Sequence, residues 1–130
     1  IHAQVPFVDA LTTILDPDLP LTVTEWEEWG DPLHDADVYA YMKSYTPYEN
    51  VADQDYPAIL ATTSLNDTRV YYVEPAKWVA ALRATAGTTT QRPVLLKTEM
   101  VAGHGGVSGR YAGWREVAFA NAWVLDRITG

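Results

Sequence analysis

Two short runs, Ala58–Thr63 (AILATT) and Pro93–Met100 (PVLLKTEM), set the strongest limit on what this chain can fold into. Each is apolar enough to need cover on both faces, as a strand inside a parallel sheet has. Each then empties into a polar loop, Ser64-Leu65-Asn66-Asp67 after the first and Gly103-His104-Gly105-Gly106 after the second. Between them lies a helical stretch starting at Glu74-Pro75, with proline suited to a first turn. Its apolar stripe is Trp78, Val79, Leu82 and Ala86, and the polar segment Gly87–Arg92 reads as an exposed turn. A last helix begins near Gly113 and places Trp114, Val117, Ala118, Asn121, Ala122, Leu125 and Ile128 at helical spacing. Alternation of strand and helix predicts an α/β fold with a parallel sheet.

The first half is more broken. Ile1–Pro6 reads as a short buried strand, and Val8, Leu11, Ile14 and Leu15 form a helical stripe ended by the LDPDLP run. Two overlapping capping boxes, Thr22 with Glu25 and Thr24 with Glu27, precede Trp26 and Trp29. A third helix, about Asp37–Tyr45, aligns Val38, Tyr41, Met42 and Tyr45 before Pro47 stops it. Only about three strands can be counted. A parallel sheet that small leaves open edges, so the chain is expected to be part of a larger domain. Its start at Ile1 instead of Met carries the same expectation.

Composition narrows the function classes. A net charge of −8 argues against a nucleic-acid backbone binder, which needs clustered Lys and Arg, and allows cationic ligands. The absence of Cys removes thiolate metal sites and disulfides and makes the cytoplasm the default compartment. No apolar run approaches the roughly 18 residues of a membrane span. No His/Asp/Glu spacing suggests a metal, the Gly103–Gly106 run lacks a phosphate-cradling pattern, and no cofactor is expected.

In open parallel sheets, ligands and catalytic groups gather where the strands end. Asp67 and His104 both lie in loops just past the apolar strands. An Asp holding a His imidazole in one tautomer makes two members of a hydrolytic triad, with Asp before His as in the α/β-hydrolases. The plainer alternatives are an Asp that caps its own turn and a His that is structural.

Several runs, taken in order, resemble the oligopeptidase B branch of the prolyl oligopeptidase family. They are Gln4–Asp9 (QVPFVD), Pro20–Gly30 with its EWEEWG ending, Tyr41–Tyr45 (YMKSY), Tyr56-Pro57, Glu74–Ala80 (EPAKWVA) and Gly103–Arg110 (GHGGVSGR). The resemblance implies a cytosolic serine peptidase that cleaves short peptides after Lys or Arg. It also implies an α/β-hydrolase domain capped by a seven-bladed β-propeller, of which this chain matches the C-terminal part of the hydrolase. Asp67 then corresponds to the triad Asp and His104 to the triad His. Arg69 corresponds to an Arg contacting the substrate backbone carbonyl, and Glu25 and Glu27 to the acidic pair selecting a basic P1 side chain. Residues two apart on a regular helix point about 200° from each other, so Glu25 is expected to be the direct ligand and Glu27 to support it. Capping is the competing role for both glutamates, and a surface salt bridge for Arg69.

The nucleophile is not among these residues. Ser44 and Ser64 lack flanking glycines, and Ser108 follows His104 with Arg110 where an elbow's second Gly belongs. The nucleophile elbow, an oxyanion donor and the propeller are expected on the missing N-terminal part of the same protein. The isolated chain is therefore expected to be inactive. The rival expectation is a non-catalytic fragment or a binding module for cationic peptides.

Overall fold

The computed structural model describes residues 1–85 and 92–129. Its strands are β1 (His2–Gln4), β2 (Ile59–Ser64) and β3 (Val94–Glu99), and its helices α1 (Ala10–Ile14), α2 (Thr22–Trp29), α3 (Ala36–Tyr45), α4 (Val73–Thr85) and α5 (Arg110–Thr129). The strands form one three-stranded sheet in the order β1-β2-β3. Both pairings are parallel, with His2 opposite Leu60 and Ile59 opposite Val94. The expected α/β architecture is therefore present, with β2 central and buried as expected. β3 lies at an edge of this sheet, buried at Val94 and with Leu95 exposed, so the expectation of cover on both faces fails for it because it has one strand neighbour.

Two separate cores hold the chain. Ile59, Ala61, Val79, Leu82 and Val94 pack β2 and β3 against α4, joined by Trp78, Tyr56 and Leu96. Ala10, Leu11, Ile14 and Met42 form the second, which draws α1, α2 and α3 together with Phe7, Trp26 and Val38. Leu82 is fully enclosed in the first core. Leu82→Ala is expected to cost about 2–5 kcal/mol, read as a lower urea midpoint at unchanged slope.

Between the cores the contact is polar. The Glu74 carboxylate, at the start of α4, accepts the Asp9 backbone N–H at 3.0 Å and the Thr13 hydroxyl at 2.6 Å. Lys77, one turn on, donates to the Asp9 carboxylate and lies over the Tyr48 ring at 4.4 Å. This explains why Asp9, although it is the N-cap of α1, makes no side-chain cap of its own helix.

Several local expectations are corrected. The two capping boxes do not form: Leu21 is the N-cap of α2 and offers no side-chain acceptor. The Thr22 hydroxyl instead donates to the Thr13 carbonyl at 2.9 Å, and the Thr24 hydroxyl donates back to Leu21 at 2.7 Å. In α3 the cap is Asp35, which accepts from Asp37 and Val38, and Met42 is its buried residue while Tyr41 and Tyr45 face outward. β1 is only partly covered, as an edge strand with one neighbour must be. α5 starts at Arg110 and buries Ala120. Its apolar stripe is open, with Trp114 at 59% and Ile128 at 72% exposure, so Trp114 is not a core residue among the described ones. α5 is held to β3 by Lys97, which pairs with Glu116 and lies over the Phe119 ring. Ala86 and all but Arg92 of the expected polar turn fall outside the described residues.

Candidate active site

The carboxyl ends of β2 and β3 carry the two loops that meet. After Ser64 the chain turns, with the Asp67 N–H donating to the Ser64 carbonyl at 3.2 Å. Asp67 Oδ1 then accepts the backbone N–H groups of Arg69 at 2.8 Å and Val70 at 3.0 Å, an Asx-type turn that fixes its carboxylate. Burial of that side chain is complete, with 0% exposed.

His104 arrives from the other strand. Glu99, the last residue of β3, turns its carboxylate onto the backbone N–H groups of Ala102 and Val101. Those bonds, led by the one from Ala102, hold its carboxyl below the usual range. Beyond it, the Gly106 N–H donates to the Gly103 carbonyl at 3.0 Å, closing a tight turn with His104 and Gly105 at its tip. Gly106 has φ 76°, a left-handed conformation that glycine adopts without strain.

The loops are stitched to each other. The Leu65 N–H donates to the Glu99 carbonyl at 2.7 Å, and the Asn66 side-chain amide donates to the Val101 carbonyl at 2.9 Å. At Gly103 an added Cβ would stand 3.3 Å from the Asn66 carbonyl oxygen, so glycine lets the backbones come this close. The result is a bond between His104 Nδ1 and Asp67, 2.9 Å to Oδ2 and 3.1 Å to Oδ1. Asp67 is the hydrogen-bond partner of the ring among the described residues, and Nε2 is left open. The ring is 40% exposed and lines a concavity of about 240 Å³ with His2, Thr63, Lys97 and Glu99.

A second, smaller depression is bordered by Thr68 and Arg69, next to Asp67 in the chain. Glu25, Arg69, Thr22 and Tyr71 line it. Glu25 is half-buried on α2, whereas Glu27 is exposed and does not line the depression. That split follows from the helical spacing of the two residues. Arg69 is exposed. Its own N–H is one of the donors fixing Asp67, so the guanidinium is rooted in the same turn as the dyad. Of the sequence-derived candidates, Asp67 and His104 are in direct contact, and Glu25 and Arg69 share a hollow. Glu27 stands apart.

The sequence reading missed the Glu99 and Asn66 stitches and the Asp9–Glu74–Lys77–Thr13 joint. The one available signal was a charged residue set directly against apolar positions, as in Val8-Asp9-Ala10.

Comparison with known proteins gives the same direction. Protease 2 of Moraxella lacunata is 53% identical over 95% of this chain and 18% of its own length. Dipeptidyl aminopeptidase BI of Pseudoxanthomonas mexicana is 48% identical, again over 95% of this chain, and 17% of that protein is covered. The solved oligopeptidase B of Leishmania major superimposes with a TM-score of 0.91 at 45% identity, over 97% of this chain and 17% of that one. The chain thus spans less than a fifth of the length of these relatives. Its likeness to the oligopeptidase B branch holds in sequence and in structure. The model of the prolyl oligopeptidase family matches residues 1–130, and the chain belongs to that family.

Proposed function

We propose that this chain is the C-terminal part of the catalytic domain of an oligopeptidase B-like serine peptidase, and that it supplies the Asp–His pair and the site selecting a basic residue. The reading rests on one observation above the others. A buried carboxylate holds His104 by Nδ1 at 2.9 Å and leaves Nε2 open beside a cavity. In that arrangement Nε2 takes the proton of a serine hydroxyl as it attacks the peptide carbonyl, then returns it to the leaving amine. Asp67 stays ionised, keeps the proton on Nδ1 and stabilises the imidazolium.

The serine and the oxyanion donor belong to the N-terminal remainder of the same protein, which is this chain's principal partner together with the propeller. The substrates are short basic peptides and the setting is the cytoplasm, in keeping with the absence of Cys. Among the described residues, no helix is long and apolar enough to cross a membrane. Glu25 pairs with the P1 guanidinium or ammonium, a charge-assisted contact better made by Arg than by Lys. Arg69 donates to a substrate carbonyl, and Glu27 adds negative charge nearby.

The test uses the full-length protein and peptide reporters with Arg, Lys or a neutral residue at P1. Glu25→Gln is expected to lower kcat/KM for the Arg reporter about 10- to 100-fold, the worth of one hydrogen bond to a charged group. The neutral reporter should barely change. Equal turnover of Arg and neutral reporters by the unmodified protein would sink the assignment.

A further inference from the structure

The polar joint between the two cores sits where selectivity and catalysis must be brought into register. The dyad turn and Arg69 belong to the sheet and lead directly into α4, where the Glu74 N–H donates to the Tyr71 carbonyl at 3.0 Å. Glu25 belongs to the other body, on α2, whose apolar packing is against α1 and α3. Among the described residues, the buried apolar clusters that hold the two bodies are distinct.

Two side chains of α4, Glu74 and Lys77, carry the hydrogen bonds to α1, and Glu74 is the one that leads on to α2. Glu74, with 1% of its surface exposed, reaches from α4 to α1, where it accepts the Thr13 hydroxyl and the Asp9 N–H. The Thr13 carbonyl accepts the buried Thr22 hydroxyl at 2.9 Å, and Thr22 is in the first turn of the helix that carries Glu25. Thr22 and Tyr71, at the two ends of this chain of bonds, both line the depression shared by Glu25 and Arg69. Lys77 holds Asp9 from the same α4. Burial pushes the Glu74 carboxyl above its usual range, and the two donors from α1 are what offset the cost of covering it.

We propose that Glu74 is a positioning residue for basic-side-chain selection: through Thr13 and Thr22 it sets α2, and with it Glu25, relative to the Asp67 turn. This inference rests on the reading of Glu25 given above. Glu74 touches neither substrate nor dyad. Its replacement by Gln keeps the volume and leaves an oxygen for the Asp9 N–H, but it turns the amide N–H onto the Thr13 hydroxyl, which must then accept, so a charge-assisted bond becomes a reversed, neutral one.

The experiment measures kcat and KM of the full-length protein and its Glu74→Gln variant on Arg and neutral P1 reporters. The expected result is an Arg-over-neutral ratio of kcat/KM about tenfold lower, carried by KM. Thr13→Val breaks the same bond from the other end, should show the same loss, and keeps the inference testable if Glu74→Gln does not fold. The double variant should lose no more than either single one, because both remove one interaction. Equal losses on both reporters, or additive losses in the double variant, would mean a structural role only and would overturn the inference. An unmodified protein without Arg preference overturns the Glu25 assignment and this inference together. A normal preference in folded Glu74→Gln and Thr13→Val overturns this inference alone.

Discussion

His104→Ala is expected to lower kcat/KM of the full-length peptidase by about 10⁵-fold or more, the scale seen when a triad base is removed. The reason lies in what remains. Asp67 is fully covered and faces Nδ1, so it cannot replace the ring at its open side. Steady-state assays with an Arg reporter check this, with far-UV circular dichroism to show that the fold is kept. His104 is at the tip of a turn and partly exposed, so little stability should be lost.

Asp67→Asn should cost about 10⁴-fold, through a different cause. Two backbone N–H groups, from Arg69 and Val70, point at Oδ1 and require an oxygen there. The Asn amide nitrogen is then forced to the Oδ2 position, 2.9 Å from His104 Nδ1. Two donors cannot face each other, so the ring must carry its proton on Nε2 and present Nδ1 as acceptor. A ring in that tautomer cannot accept the serine proton. Proton NMR of the imidazole in the variant should show the change of tautomer, and kcat should fall with KM nearly unchanged.

Much of the sheet was legible because its signal is local. AILATT and PVLLKTEM each open on a short apolar run, AILA and PVLL, and such runs between turn signals read as strands. The loops after them were legible for the same reason, which is why Asp67 and His104 could be paired before any geometry was known. What failed were expectations that depended on distant partners. Thr22 and Thr24 have capping spacing with Glu25 and Glu27, yet the Thr22 hydroxyl goes to Thr13 on another helix. The joint at Glu74 links residues more than 60 apart, and no spacing rule reaches that far. The α5 stripe has true helical periodicity, but periodicity shows a face that can be buried and not what buries it.

The most direct test of the central claim is fluorophosphonate labelling of the full-length protein followed by peptide mapping. One label is expected, on a serine outside these 130 residues and within a Gly-x-Ser-x-Gly segment, and His104→Ala should abolish it. A label on Ser44, Ser64 or Ser108, or labelling that His104→Ala leaves undiminished, would contradict the account.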